Sequence, residues 1–158
     1  MLRGPMNRSG KIHALLSTAR VANIPSVMSN VWLGVMLGLV HGMVHVTASL
    51  WQKAGFLAVA AVLLYVGGNF FNDWMDRKWD ARHRPERALP RGLFAPGLYA
   101  GLAAGLIGAG VTLAFVAGLR SGMVALGIAV AIVIYTLAHK RTAWAVVPMG
   151  ICRGLLPL

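Results

Sequence analysis

Acidic side chains are almost absent from this chain. Its 158 residues include fifteen Lys or Arg but only four Asp or Glu, a formal net charge of +11. Charge of either sign is sparse: 12% of residues are charged against 58% hydrophobic, and the mean hydropathy is +0.68. That balance excludes an ordinary soluble domain and fits a protein that crosses a membrane several times. A single cysteine, Cys152, excludes an internal disulfide. With no support for a reactive thiol, it reads as a small apolar filler.

What is present is organised around one stretch. Asp73, Asp76, Asp80 and Glu86, all the acid the chain has, lie between Asn72 and Gly92. Asp73, Asp76 and Asp80 are spaced by three and then four, which puts them on one side of a helix. Like charges at that spacing repel, so a helix gains from them only if something positive sits between. Oxygen ligands on one face suit a hard cation such as Mg2+, which takes one or two carboxylates and completes its shell with water and phosphate oxygens. Arg77, Lys78, Arg82, Arg84, Arg87 and Arg91 interleave or follow. They suit a diphosphate better than a bare metal.

The apolar runs predict an all-α, multi-span transmembrane helical bundle. A basic tail, 1–20, precedes spans near 21–40, 54–71, 95–119, 122–138 and 144–158. The first span carries Asn23, Ser26 and Asn30, a polar stripe that faces protein or a water-filled cavity rather than lipid. Asn69 continues the row of Asn72 and Asp76 down the second span. Gly97, Gly101 and Gly105 recur every four residues, a ridge of small residues for tight packing and a surface through which a homo-oligomer would form. His41 and His45 stand four apart without a third ligand nearby and read as interfacial residues, not a zinc site. Pro85 and Pro90 predict a loop over 77–91.

Basic residues alternate between the connections. The tail holds four, the first connection one, the second six, the third one and the fourth two, Lys140 and Arg141. The positive-inside rule then places the tail, the aspartate stretch and the Lys140 connection on the cytoplasmic side. This charge pattern argues for anionic headgroups and a pyrophosphate-bearing substrate, and against nucleic acid.

Asn72-Asp73-x-x-Asp76-x-x-x-Asp80, followed by Arg84-Pro85-x-Arg87-x-Leu89-Pro90-x-Gly92, resembles the first aspartate-rich motif of the UbiA superfamily of intramembrane prenyltransferases. Ala88 and Arg91 depart from it, standing where many members carry Pro and Ser. The resemblance implies Mg2+-dependent transfer of an isoprenyl group from an isoprenyl diphosphate donor to a hydrophobic acceptor: aromatic, quinone-precursor, tetrapyrrole or lipid. It implies metal binding by Asn72, Asp73, Asp76 and Asp80. It implies diphosphate contacts from Arg20, Asn23, Asn72, Arg84, Arg87 and Lys140, with Asp76, Asp80 and Lys140 taking part in catalysis; for Arg84 and Arg87 the alternative is that they pin the loop to Asp or Glu neighbours. Tyr135 to Thr142 resembles a second family segment, in which a Tyr precedes a basic pair. The location it implies is a bacterial inner membrane, among its lipids, crossed several times.

Members of the superfamily are longer and carry a second aspartate-rich motif in their later half. No acidic residue follows Glu86. The expectation is therefore a chain truncated after the start of the fifth helix, with little activity alone. The alternative is a non-catalytic membrane protein or packing partner related to the superfamily. A transporter fits less well, because its ionisable groups belong at mid-membrane and here they gather at one boundary.

Overall fold

A computed structural model describes residues 8–138, and all the regular structure among them is helical. Five α-helices run in order: α1 (Arg8–Ala19), α2 (Ile24–Val40), α3 (Ala48–His83), α4 (Pro96–Ala117) and α5 (Leu119–Ala138), with a 3-10 turn, Val21–Asn23, between the first two. Four helices are long and apolar enough to cross a membrane. Large apolar side chains stand on their outer surface: Leu33, Met36, Val116, Val130 and Ile134 are all exposed. In water such a surface would be a liability, but acyl chains solvate it at no cost.

Helix α3 is the mast. Its N-terminus is fixed by Thr47, whose hydroxyl accepts the Leu50 N–H at 3.1 Å. At 36 residues and 1.5 Å per residue it is about 54 Å long, well beyond a hydrocarbon core of about 30 Å. The excess carries the aspartates. The second span expected at 54–71 is therefore the middle of a longer helix, and the loop expected from 77 starts only at Arg84. The polar run from Asn72 to Arg82 keeps helical hydrogen bonding, and it is Pro85 that stops it, by disfavouring the helical conformation at Arg84.

Two other boundaries move. The supposed tail contains α1, whose last turn is buried against the bundle at Thr18 and Ala19. The third and fourth spans meet at Gly118 rather than at an Arg120–Ser121 turn, so Arg120 belongs to the first turn of α5. The expected span 144–158 lies outside the described residues.

The packing of α3 on α4 depends on glycines other than the predicted ridge. A Cβ at Gly67 would sit 2.8 Å from an Ile107 side-chain carbon, and one at Gly110 would sit 3.0 Å from the Ala60 carbonyl. Gly97, Gly101 and Gly105 have nothing within 4 Å of a Cβ. The four-residue repeat is real, but it lies on the open side of α4, opposite the face of Ala103, Gly110 and Ala114 that is buried. His41 closes α2 through a ring nitrogen 2.9 Å from the Leu37 carbonyl, a capping role consistent with an interfacial histidine.

A bundle end built around Tyr99 positions the site. Tyr99 is fully buried, packs edge-on against Phe70 with ring centres 4.9 Å apart, and shares a hydrogen bond of 3.0 Å with the Thr18 hydroxyl. Ala88 and Leu89 pack against the same cluster. Thus α1, the aspartate end of α3, the loop after it and the start of α4 form one packed unit.

Candidate active site

The junction between α1 and α2 is shaped by polar side chains of α3. A helix leaves its last carbonyls without partners. Here Asn69 donates to the Ala19 carbonyl at 3.3 Å and the Tyr65 hydroxyl donates to the Arg20 carbonyl at 3.4 Å. Arg20 itself has φ 50°, the left-handed region, where a side chain costs about 1–2 kcal/mol. The turn so fixed brings Arg20 and Asn23 beside Asn69 and Asn72, and all four line a cavity of about 630 Å³.

That cavity lies between α2, α3 and α5. Along α3 its lining runs from Ala61 to Asn72, about 16 Å at helical rise. The aspartate end is polar, with Arg20, Asn23, Asn69, Asn72 and Thr136; the deeper part is lined by Val27, Ala61, Leu64 and Ile128. A space polar at one end and apolar along its length matches an amphiphile with a charged head. Ser26 and Asn30 of the predicted stripe also line it, so the stripe faces a cavity and not lipid.

The four expected metal ligands fall into two groups. Asn72 Nδ2 donates to Asp76 Oδ2 at 3.4 Å, one helical turn on. Arg87, reaching back from the loop, places Nη1 2.8 Å from Asp80 Oδ2 and 3.1 Å from Asp73 Oδ1. The Asp80 side chain is 3% exposed. Without Arg87 it would be a buried carboxylate lacking its nearest positive partner. The charge of Arg20 also falls on Asp73. Of the aspartate stretch, Asn72 is the member that lines the cavity.

The donor set at this end is one of oxygens, the chemistry Mg2+ prefers. Asn72 Oδ1 is buried and has no hydrogen-bond partner, an orphaned oxygen of the kind a hard cation satisfies. Asp76, its neighbour on the helix, supplies a carboxylate. Among the described residues no three His, Cys, Asp or Glu side chains are grouped to hold a metal. Mg2+ sites are commonly built from one or two protein oxygens, with phosphate and water completing the shell. The residues fit the ion, with Asn72 and Asp76 as the pair that would hold it.

Arg84 is not part of this constellation. It is exposed and lies over the Trp79 ring at 5.9 Å, at the far end of α3. Arg77 likewise turns to its own helix, bonding the Trp74 carbonyl at 2.7 Å and covering the Trp74 ring. Lys140 lies outside the described residues. Tyr65 and Thr136 line the cavity without having been singled out in the sequence. Tyr65 was legible in principle: it precedes Asn69 by four and Asn72 by seven, on the same helical row.

An all-helical bundle with four candidate spans, and a carboxamide–carboxylate pair beside the polar end of a cavity between its helices, defines the class as a multi-pass helical membrane protein. The model of the UbiA prenyltransferase family matches residues 27–158, so the chain belongs to that family. A digeranylgeranylglyceryl phosphate synthase of Natronomonas pharaonis is 44% identical over 45 residues, covering 28% of this chain and 16% of that protein. A solved structure described as that of a digeranylgeranylglyceryl phosphate synthase in membranes superposes with a TM-score of 0.79 at 18% identity, over 94% of this chain and 51% of that one. At that identity the likeness is one of fold. The chain spans about half the length of that solved relative.

Proposed function

We propose that the chain binds the diphosphate of an isoprenyl donor, with Mg2+, at the Asn72–Asp76 end of the cavity, and serves transfer of the isoprenyl group to a hydrophobic acceptor. The observation that carries this is the orphaned Asn72 oxygen, beside Asp76, at the polar end of a cavity that turns apolar with depth.

Each side chain has work in that reaction. Arg20 and Asn23, held at the cavity by the Tyr65 and Asn69 bonds, orient the diphosphate and balance its charge. When bound, the magnesium supplies positive charge to the leaving pyrophosphate oxygens. The allylic carbon–oxygen bond breaks with its electron pair leaving on the pyrophosphate, the acceptor attacks that carbon, and the acceptor's proton is lost. Val27 and Ile132 line the space the allylic carbon would enter and keep out water that would quench it. Arg87 pairs with Asp73 and Asp80 and keeps the loop seated. Lys140 as a diphosphate contact, a cytoplasmic aspartate end and self-association are proposed on sequence grounds alone.

The curated relative makes a lipid alcohol the first acceptor to assay, ahead of aromatic, quinone-precursor and tetrapyrrole acceptors. The test is transfer of a labelled isoprenyl group by the reconstituted protein to such a panel. The expected result is an Mg2+-dependent product that falls at least about a hundredfold in Asp76→Ala, the scale of losing one preorganised charge contact. A chain that binds donor but forms no product with any acceptor would favour the non-catalytic alternative.

A further inference from the structure

A second, apolar cavity of about 200 Å³ lies below the first, and three residues wall both: Ala61, Leu64 and Ile128. The two are stacked in register on every helix they touch. On α2 the upper cavity is lined up to Asn30 and the lower from Val31; on α5 the upper lies from Ile128 onward and the lower up to Ile128. On α3 the pair extends from Leu50 to Asn72, about 33 Å, the full depth of a bilayer core.

Of the three shared residues, Leu64 and Ile128 are the two with bulky side chains. The buried cluster at that level consists of Ala60, Leu64, Ala114, Ala125, Ile128 and Ala129. Four of its six members are alanines, so Leu64 from α3 and Ile128 from α5 are the ones with enough bulk to close the space between the cavities. Leu64 is 3% exposed and Ile128 6%, so both are held in place by packing.

We propose that Leu64 and Ile128 form a divider that sets how long an isoprenyl tail the site accepts. The inference rests on the proposed donor site above and adds its length limit. With the head at Asn72, the tail descends along α3 and is stopped at the Leu64 level. Replacing either residue by Ala joins the cavities and admits a longer tail. Each further methylene buried is worth about 0.8 kcal/mol, so several of them shift relative affinity by tenfold or more.

The experiment compares binding of pyrophosphate and of geranyl, farnesyl and geranylgeranyl thiodiphosphate to the whole chain in detergent, with Mg2+. The proteins are wild type, Leu64→Ala and Ile128→Ala. The expected result is unchanged pyrophosphate affinity, with the preference for geranylgeranyl over geranyl rising at least about tenfold in either variant. Analogues that bind wild type while neither variant changes the preference overturn the divider and leave the donor site standing. Failure of pyrophosphate and of every analogue to bind wild type overturns both. A second measurement needs no variant: an isoprenyl diphosphate bearing a terminal diazirine should label wild type near Leu64 or Ile128. Labelling at Val44 or Leu50, beyond the divider, refutes the proposal even if a variant fails to fold.

Discussion

Replacing Arg87 by Gln tests how the aspartate loop is held. The guanidinium nitrogen that bridges Asp80 at 2.8 Å and Asp73 at 3.1 Å would be lost. Breaking a buried ion pair from one side costs about 3–5 kcal/mol, because the remaining charge stays buried and unbalanced. Arg87 is 22% exposed and Asp73 16%, so water recovers part of that, and about 2–3 kcal/mol is the working figure. The cost falls on local opening, since the bridge ties the loop to α3 while Ala88 and Leu89 still pack on the Tyr99 cluster. At 1.4 kcal/mol per tenfold, that is roughly a 30- to 150-fold rise in the opening equilibrium. Hydrogen exchange read by mass spectrometry over residues 84–95 in detergent micelles is the assay. Asp80→Asn combined with Arg87→Gln should recover much of the loss, since no uncompensated buried charge remains at that position. Exchange in Arg87→Gln within about twofold of wild type would show that the bridge holds nothing.

Other substitutions probe the remaining parts. Gly67→Ala and Gly110→Ala should each destabilise the bundle by about 1–3 kcal/mol through overpacking of α3 on α4, whereas Gly101→Ala should be neutral or stabilising by up to about 1 kcal/mol; denaturant unfolding in mixed micelles compares them. Arg20→Gly removes the side chain from a left-handed position that glycine adopts freely, so stability should hold or rise by up to about 1 kcal/mol while pyrophosphate affinity drops about tenfold. A loss of stability with affinity intact would reverse the assignment of Arg20 to the ligand. A cysteine placed at Ala81 in a Cys152→Ser background should react with an impermeant thiol reagent from the cytoplasmic side, and reaction from the outer face alone would invert the proposed orientation.

The spans and the aspartate row were legible because both are written in local periodicity. Of five apolar runs, four fall on described helices long enough to cross a membrane, and spacing by three and four announces a helical face. What was not legible depends on partners distant in the chain. Nothing in the residues near Gly97, Gly101 and Gly105 says that their face is the open one, and that Gly67 and Gly110 make the close approach. Arg87 read either as a phosphate ligand or as a pin between the loop and its acidic neighbours; that the acids are Asp73 and Asp80 depends on the loop folding back over the helix it has just left. The helical stretch before Thr18 was hidden by weak amphipathicity in a basic segment, and its anchor, the Tyr99 hydroxyl, lies 81 residues away. The divider between the cavities is likewise a meeting of two helices, with no mark in the sequence of either.

The central claim is that Asn72 and Asp76 hold a magnesium together with the diphosphate that enters beside them. Local cations weaken a bare-metal site, and a diphosphate restores the balance of charge. Calorimetric titration of the purified chain in detergent tests this most directly. The expected result is weak Mg2+ binding alone, clear binding of Mg2+ with pyrophosphate, and loss of that binding in Asp76→Ala. Tight Mg2+ binding without diphosphate, unaffected by Asp76→Ala, would contradict it.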